Sequence, residues 1–485
     1  MSYEPVIGLE IHAQLLTRSK IFCGCSTAFG APPNTHVCPV CLGLPGALPV
    51  LNRQAVDFAI RTGLALGCRI QSRSIFARKN YFYPDLPKGY QISQYELPVA
   101  VDGALEWTSD GQTRRVGITR VHMEEDAGKS LHEGFADAAR RSYVDFNRSG
   151  VPLVEIVTEP DLRSAADAAD FFERLRAILV RIGVNDGNME EGSLRCDANV
   201  SVRPAGATTL GTKAEVKNLN SFRFLQKALE YEIARQTELL EEGGTVTQET
   251  RLWDAAAGVT VSMRSKEEAH DYRYFPEPDL PPLVIDDARV EATRAALPEL
   301  PAAREARYVA EFGLPKTDAA TLVLRMPGLD DYFEATAQAS GNPREAANTV
   351  LGLVRARMND EGIGSVDALR AKLPEARLAE LIGLVTRGEI SRPVAKDVFD
   401  RMFASGEPAA AIVAREGLAQ IDDEAAITAV IARVLAEQED AVAQYRGGRT
   451  ATFGFLVGQV MRATGGKANP KRVNALLRQA LEAES

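Results

Sequence analysis

The clearest pattern in the chain lies near its start, where apolar and polar residues alternate one by one. The apolar positions are Ile7, Leu9, Ile11, Ala13 and Leu15, and the positions between them are Gly8, Glu10, His12 and Gln14. Alternation with a period of two predicts a half-buried β-strand. We therefore expect Glu10 and His12 to be neighbours on a polar face.

Two later segments repeat this alternation. Residues 194–203 place Leu194, Cys196, Ala198, Val200 and Val202 on one side and Arg195, Asp197, Asn199, Ser201 and Arg203 on the other. Lys213, Glu215 and Lys217 alternate in the same way with Ala214 and Val216. A solvated face explains any single strand. The three together offer carboxylate, imidazole and cationic groups that suit a divalent ion and phosphate oxygens.

The patterning changes along the 485 residues, a length that favours two or three domains. Alternating segments with Gly-Pro loops predict an α+β domain with a large antiparallel sheet over residues 1–288. Residues 289–405 are rich in Ala, Leu, Arg and Glu at helical spacing and predict an all-α domain. Residues 406–485 are again helical and predict a small tail domain.

Composition is that of a globular protein, with 45% hydrophobic and 25% charged residues. The start of the chain lacks the order of a secretory signal, and no apolar run approaches the length of a membrane span, so we expect a cytoplasmic protein without membrane contact. The net charge of −10 repels nucleic acid, so RNA contact needs a locally basic region. Residues 441–481 form one: they lack Asp and Glu and contain Arg446, Arg449, Arg462, Lys467, Lys471, Arg472 and Arg478. A solvated helical face is the alternative, although it would normally carry both signs.

Four of the six cysteines are close together, as Cys23 and Cys25 and, after twelve residues, Cys38 and Cys41. Two close pairs across a short loop suit tetrahedral zinc, because each pair supplies two thiolates from one turn. Disulfides are the weaker interpretation for a cytosolic chain. With four thiolates and no open position, we expect a structural zinc site at 23–41.

A second polar cluster, HMEEDAGKS at 122–130, is expected to form a loop with Glu124, Glu125 and Asp126 in a row. Such a run of carboxylates repels itself unless it is solvated or bound to cations. Its end imitates a phosphate-binding loop, but Met123 replaces the required glycine. No hydrolase nucleophile motif is present.

Several blocks of the sequence resemble the B subunit of aspartyl/glutamyl-tRNA amidotransferase. They are YFYPDLPKGYQISQY (81–95), HMEEDAGKS (122–130), DFNRSGVPLVEI (145–156), EGSLRCDAN (191–199) and RYFPEPD (273–279). The resemblance runs through the whole chain. It implies a glutamine-synthetase-like cradle, then a helical domain and a tRNA-contacting tail.

The resemblance also implies a reaction. ATP phosphorylates the side-chain carboxyl of mischarged Asp-tRNA(Asn) or Glu-tRNA(Gln), and ammonia displaces the phosphate, as in a carbon-nitrogen ligase with glutamine as amido donor. Family resemblance assigns the magnesium site to Glu10, His12 and Glu125, with Glu124 and Glu155 as further catalytic residues. Charge and strand phase suggest Lys79, Lys213 and Lys217 as contacts to ATP phosphates.

Partners follow from the same resemblance: an amidase (glutaminase) partner that supplies ammonia, a small third partner that completes a heterotrimer, and the mischarged tRNA. Two alternatives remain open at this point. The chain is a tRNA-presenting module without chemistry, or a zinc hydrolase at Glu10 and His12. The carboxylates opposite the basic groups favour the enzyme, and no further histidine at ligand spacing supports the hydrolase.

Overall fold

The computed structural model describes residues 2–109, 111–131, 140–265, 272–326, 328–419, 424–465 and 468–483. The chain divides into two compact units, Met1–Arg304 and Glu305–Ser485. A large sheet together with many helices confirms the predicted α+β class. The predicted three-domain division and the glutamine-synthetase-like cradle stay predictions.

All described strands belong to the first unit. They are β1 (Tyr3–Gln14), β2 (Arg69–Ile70), β3 (Arg73–Ser74), β4 (Ala77–Asn80), β5 (Tyr90–Ser93), β6 (Ala100–Ser109), β7 (Gln112–Glu125), β8 (Lys129–Leu131), β9 (Tyr143–Asp145), β10 (Pro152–Thr158), β11 (Leu194–Pro204), β12 (Ala214–Lys217), β13 (Glu249–Asp254), β14 (Val259–Ser265), β15 (Phe275–Pro276) and β16 (Leu283–Val284).

Nine of these strands form one sheet, in the order β14-β13-β12-β11-β1-β10-β7-β6-β2. Neighbouring strands are antiparallel except for β12 and β13, which are parallel. Strand β1 is central, so both of its edges are hydrogen-bonded. A smaller sheet, in the order β15-β4-β5, and the pairs β16-β3 and β8-β9 complete the strands.

One face of the large sheet is the core of the first unit. The five apolar residues of the first predicted strand are all buried, as are the five inward residues predicted for 194–203. All of them except Val202 pack in one cluster with apolar residues of helices α1 (Arg53–Ala65), α2 (Ala165–Arg181) and α3 (Phe222–Glu241). Serine caps start the latter two helices: the Ser164 hydroxyl accepts from Asp167 N at 3.0 Å and the Ser221 hydroxyl from Phe224 N at 3.0 Å. The helices cover the apolar face and leave the polar face of β1 for other chemistry.

The remaining helices come after the last strand in the chain. They are α4 (Asp287–Ala295), α5 (Pro301–Phe312), α6 (Lys316–Ala320), α7 (Leu329–Ser340), α8 (Pro343–Thr349), α9 (Arg355–Asp360), α10 (Val366–Lys372), α11 (Glu375–Thr386), α12 (Arg392–Ser405), α13 (Ala409–Glu416), α14 (Glu424–Glu437), α15 (Glu439–Arg446), α16 (Thr452–Ala463) and α17 (Pro470–Ala483). Two π-helical turns, Thr321–Arg325 and Val350–Val354, extend α6 and α8.

Helices α14, α16 and α17 share a small apolar cluster near the end of the chain. Its buried members include Ile431, Leu456, Val460 and Leu477. Helix α17 begins at Pro470, where the fixed φ of proline suits the first helical position. Among the described residues, no helix has both the length and the apolar character that crossing a membrane requires.

Candidate active site

A row of four polar side chains crosses the open face of the large sheet. Strand register pairs His122 of β7 with Glu155 of β10, Glu155 with His12 of β1, and His12 with Arg195 of β11. Cross-strand neighbours on one face lie about 5 Å apart. The period-two alternation of four separate strands thus aligns two imidazoles, a carboxylate and a guanidinium.

Glu155 lies between the two histidines of this row. Its Oε2 is 3.3 Å from His12 Nε2 and 3.2 Å from His122 Nε2. Glu124 comes from the same face of β7, with one carboxylate oxygen 3.7 Å from His12 Nε2 and the other 3.8 Å from His122 Nε2. The two carboxylates and two imidazoles therefore form one electrostatic unit.

The charges within this unit are set by mutual attraction. Burial lowers the pKa of His122, but the carboxylates of Glu155 and Glu124 outweigh burial and raise that pKa to about 9. The same carboxylates outweigh burial at His12 and raise its pKa. Burial raises the pKa of Glu155, yet His122 and His12 hold it well below its ordinary value. At neutral pH a charged His122 offsets one of the two carboxylates.

His12, Glu124 and Glu155 form a candidate metal site. One donor atom from each lies within 4.8 Å of the others. Two carboxylates suit magnesium, although an imidazole is a less usual ligand for that ion. The donor set thus fits a divalent cation, with Glu124 and Glu155 supplying the hard oxygen ligands.

The structure places Glu10 on the same face of the sheet as His12 but outside this three-residue group. Its Oε1 accepts a hydrogen bond from Asn199 Nδ2 at 3.0 Å. It occupies β1 two residues before His12, on the same face and one row further along the sheet. Glu10 therefore lies beside the candidate metal site rather than in its centre.

The structure does not bring Glu125 together with His12, and its assignment to the magnesium site stays a prediction. Residues 122–125 end strand β7 rather than forming a loop, so alternation turns Glu125 to the face of Val121 and Met123. There its carboxylate pairs with Lys88 and accepts from Ile92 N at 2.8 Å. The other functional roles predicted for Glu125 stay predictions.

Asp126, the next residue, is held by a separate network. Its carboxylate accepts from Gln14 Nε2 at 2.8 Å and lies 3.2 Å from Arg195 and 3.7 Å from Arg148. Burial raises the pKa of Asp126, but Arg195 and Arg148 outweigh burial and lower it. The run 124–126 thus distributes its three carboxylates among three different cationic environments, which removes most of their mutual repulsion.

The row borders a cavity of about 510 Å³. All three predicted phosphate contacts, Lys79, Lys213 and Lys217, line it. Lys217 is already paired, at 2.6 Å with Asp197 and 3.1 Å with Glu215. Lys79 lies with its ammonium 4.8 Å from the ring centre of Tyr272 and 5.8 Å from that of Tyr81. These contacts leave Lys79 a better phosphate ligand than Lys217.

Tyrosines to which the sequence patterns assigned no role form one side of the cavity. Tyr95 and Tyr274 line it and stack with ring centres 4.2 Å apart and planes 5° apart. Tyr272 also lines it and meets Tyr274 edge to face at 6.1 Å. The many tyrosines in 81–95 and 272–274 could have predicted this side of the cavity, because aromatic rings beside polar groups are typical of ligand pockets.

The four cysteines meet as predicted. One sulfur atom from each of Cys23, Cys25, Cys38 and Cys41 lies within 4.8 Å of the others. A hydrogen bond from Cys23 and the charge of Lys20 lower the pKa of Cys41 to about 4, whereas burial raises the pKa of Cys25 to about 11. Four thiol ligands from two close turns fit tetrahedral zinc.

The basic residues predicted to bind tRNA lie in the second unit. Arg446 ends α15, Arg462 belongs to α16, and α17 carries Lys471 and Arg472, which is 3.3 Å from Glu424. Arg449 follows α15, and all five side chains are exposed. Lys467 lies outside the described residues. Their role in tRNA binding stays a prediction.

Comparison with known proteins gives concordant matches along the chain. Residues 5–291 match the family described as the GatB/GatE catalytic domain, and residues 331–481 match the GatB domain. A relative from Anaeromyxobacter sp. (strain Fw109-5), named as the B subunit of aspartyl/glutamyl-tRNA(Asn/Gln) amidotransferase, is 57% identical over 482 residues, covering 99% of each chain. Proteins of the same name from Thermodesulfovibrio yellowstonii and Geobacter sulfurreducens are each 55% identical, covering 98% and 99% of this chain and 99% and 100% of their own lengths.

Proposed function

Because the chain belongs to the family of aspartyl/glutamyl-tRNA amidotransferase B subunits, we propose that the cavity beside His12 is where the side-chain carboxyl of mischarged tRNA is activated. A protein of this family takes part in converting Asp-tRNA or Glu-tRNA into Asn-tRNA or Gln-tRNA for translation. The overall reaction is a glutamine-dependent carbon-nitrogen ligation within a multi-subunit complex. Its place in translation supports the predicted cytoplasmic location.

The chemistry proposed for the cavity has two steps. In the first, a carboxylate oxygen of the aminoacyl group attacks the γ-phosphorus of ATP, the bond to the bridging oxygen breaks, and ADP leaves. In the second, ammonia attacks the acyl carbon of the resulting acyl phosphate. Phosphate departs with the carbon-oxygen bond pair and takes up a proton from the nitrogen, leaving the amide. A carboxylate alone is a poor acceptor for ammonia, which is why the first step is needed.

The observation that carries this proposal is the charge arrangement around the cavity. His12, Glu124 and Glu155 would hold magnesium, which neutralises phosphate charge as the phosphoryl group moves. Glu155 is kept ionised by two imidazoles, so the ligand set stays charged at neutral pH. Lys79 faces the same group and would hold a phosphate oxygen, since Glu124 and Glu155 outweigh burial and raise its pKa. A module that only presents tRNA has no need for this combination.

Ammonia would come from a partner amidase. The sequence lacks the Gly-Gly-Ser-Ser run of amidases, which supports a separate glutaminase in the complex. A small third protein would complete the predicted heterotrimer. The exposed basic residues of 441–481 would contact the phosphate backbone of tRNA, since local positive charge attracts RNA even to an acidic protein.

The cysteine group would hold a structural zinc ion. Its four thiolates would supply all the ligands of a structural zinc ion, with no position left for substrate. The predicted consequence is that zinc stabilises the 23–41 segment and takes no part in bond breaking.

The test of this function is γ-phosphate release from labelled ATP by the assembled complex. Glu-tRNA(Gln), Asp-tRNA(Asn) and the two uncharged tRNAs are compared at equal concentration. Release that needs a mischarged tRNA supports carboxyl activation and identifies the substrate. Tight binding of mischarged tRNA without ATP turnover would contradict it and favour the tRNA-presenting module.

A further inference from the structure

The cations around the cavity differ in whether a carboxylate already neutralises them. Lys217 pairs with Asp197 and Glu215, and Arg195, next to His12 in the row, pairs with Asp126. Such cations have little attraction left for a bound anion. The cations that lack a carboxylate partner therefore indicate where an anion binds.

Arg120 is one of these cations. It lines the cavity, is half-buried, and lies on β7 two residues before His122. Its Nε lies 3.3 Å from His122 Nδ1. Within the described parts of the chain, its guanidinium makes no ion pair with a carboxylate.

The strand register explains why the nearest acidic side chains do not neutralise Arg120. Arg120 is opposite Val157 of β10 on one side and Val101 of β6 on the other. Val157 in turn is opposite Glu10, so two strand spacings, about 10 Å, separate Arg120 from Glu10 across the sheet. Valine on both sides means that no carboxylate lies directly opposite Arg120 in either neighbouring strand, while its guanidinium lines the cavity.

Lys79 is a second cation at the same cavity, and no carboxylate among the residues that the structure describes forms an ion pair with it. Its ammonium lies beside the rings of Tyr81 and Tyr272, and Glu124 and Glu155 act on it from beyond ion-pair distance. A half-buried guanidinium and an ammonium among aromatic rings are both costly to desolvate unless an anion binds. Two such cations on one cavity favour an anion with several negative charges over a single carboxylate.

We propose that Arg120 is a phosphate-binding residue of this cavity, which contacts the ATP phosphates together with Lys79. This inference rests on the proposed function. The guanidinium has N–H donors beyond the one beside His122, and its planar fork matches two oxygens of a phosphate at once. Arg120 thus adds to the predicted lysines a residue that binds and orients the phosphates beside His12, Glu124 and Glu155.

The test compares three variants of the assembled complex: Arg120→Gln, Arg120→Lys and the control Arg115→Gln. Arg115 lies on the same strand, is exposed, and pairs with Glu106 at 3.2 Å on the surface. The rate of γ-phosphate release is measured against the concentration of ATP and, in a second series, against that of the mischarged tRNA. Each series gives its own KM. We expect Arg120→Gln to raise KM for ATP roughly 10- to 100-fold, Arg120→Lys to restore part of the loss, and Arg115→Gln to behave as wild type.

Other outcomes overturn the inference in distinguishable ways. A wild-type KM for ATP in Arg120→Gln means that Arg120 does not bind phosphate, while the proposed function stands. A rise in KM for the mischarged tRNA alone assigns Arg120 to the aminoacyl carboxylate instead. A lower kcat with both KM values unchanged shows that Arg120 only positions His122. If the wild-type complex itself lacks turnover dependent on mischarged tRNA, both the proposed function and this inference fail.

Discussion

Glu124 and Glu125 are adjacent in the chain and lie on opposite faces of strand β7. Glu124 approaches His12 Nε2 at 3.7 Å, whereas Glu125 pairs with Lys88 on the other side of the strand. Strand geometry requires this separation, because successive side chains of a β-strand point to opposite faces. The two carboxylates therefore belong to different environments, and neutralising each of them should have a different effect on metal binding.

Metal binding separates these environments without any need for turnover. With Mn²⁺ as a spectroscopic probe, we expect Glu124→Gln and Glu155→Gln to weaken binding by at least about tenfold, because each removes a charged oxygen ligand. Glu10→Gln and Glu125→Gln should change it much less. Electron paramagnetic resonance titration of free Mn²⁺ measures the affinity. The reverse order would support the ligand set Glu10, His12 and Glu125.

The Asp126 network makes stability depend on pH. Asp126→Asn should lower the free energy of unfolding at pH 7 by about 1–3 kcal/mol, because Arg195 and Arg148 lose their buried counter-charge. The pKa of Asp126 is lowered in the folded state, so its contribution is present above the unfolded value of about 3.9 and is lost as pH falls through the folded value. The difference between variant and wild type should accordingly shrink below about pH 4.

Urea unfolding followed by tryptophan fluorescence measures this effect, since both tryptophans, Trp107 and Trp253, are buried in the first unit. Asp102→Asn is the matched control. The Asp102–Arg69 pair is at the surface, with side chains 69% and 62% exposed. It should contribute less than about 1 kcal/mol. Equal losses in the two variants at pH 7 would contradict the role assigned to Asp126.

The cysteine group predicts one bound zinc ion per chain. Cys38→Ser should reduce the zinc content to near zero and lower the urea midpoint, since the ion's binding energy contributes to folding. Cys68 is a buried thiol outside the group, so Cys68→Ser should keep its zinc. Inductively coupled plasma mass spectrometry gives the content. Full zinc in Cys38→Ser would remove this ligand assignment.

The basic tail predicts a salt-dependent affinity for tRNA. Replacing Arg449 and Arg462 together by Gln should weaken tRNA binding and reduce the slope of log affinity against log salt by about 0.7–0.9 for each phosphate that is no longer neutralised. Arg433→Gln is the control, because this exposed side chain lies on α14, outside the basic segment, and is 3.9 Å from Glu437. Filter binding at several salt concentrations measures the slope. An unchanged slope in the double variant would assign tRNA binding to another surface.

The large sheet was predictable where the alternation was clean. The burial of Ile7, Leu9 and Ile11 follows directly from the period of two, and the cysteine group follows from its spacing. Both are local patterns that tertiary contacts did not override. The strand order, which places β10 between β1 and β7, is a long-range property that no local pattern contains.

The candidate site was predicted incompletely for the same reason. Interpreting 122–130 as a loop overlooks a strand alternation at its start. That alternation puts His122 and Glu124 on one face and the apolar Val121 and Met123 on the other. Arg120 lies on the same face as His122, so its place at the site was missed for the same reason. The position of Glu155 between two histidines depends on strand pairing, so its charge environment emerges only from the fold.

The most direct test of carboxyl activation beside His12 is the initial rate of γ-phosphate release by the complex carrying Glu124→Gln. The rate is measured with saturating mischarged tRNA and compared with that of Glu106→Gln, an exposed position on neighbouring strand β6. We predict a loss of at least about 100-fold for Glu124→Gln, with tRNA affinity unchanged and a wild-type rate for Glu106→Gln. A near-wild-type rate in Glu124→Gln would contradict the account and place the chemistry at another site.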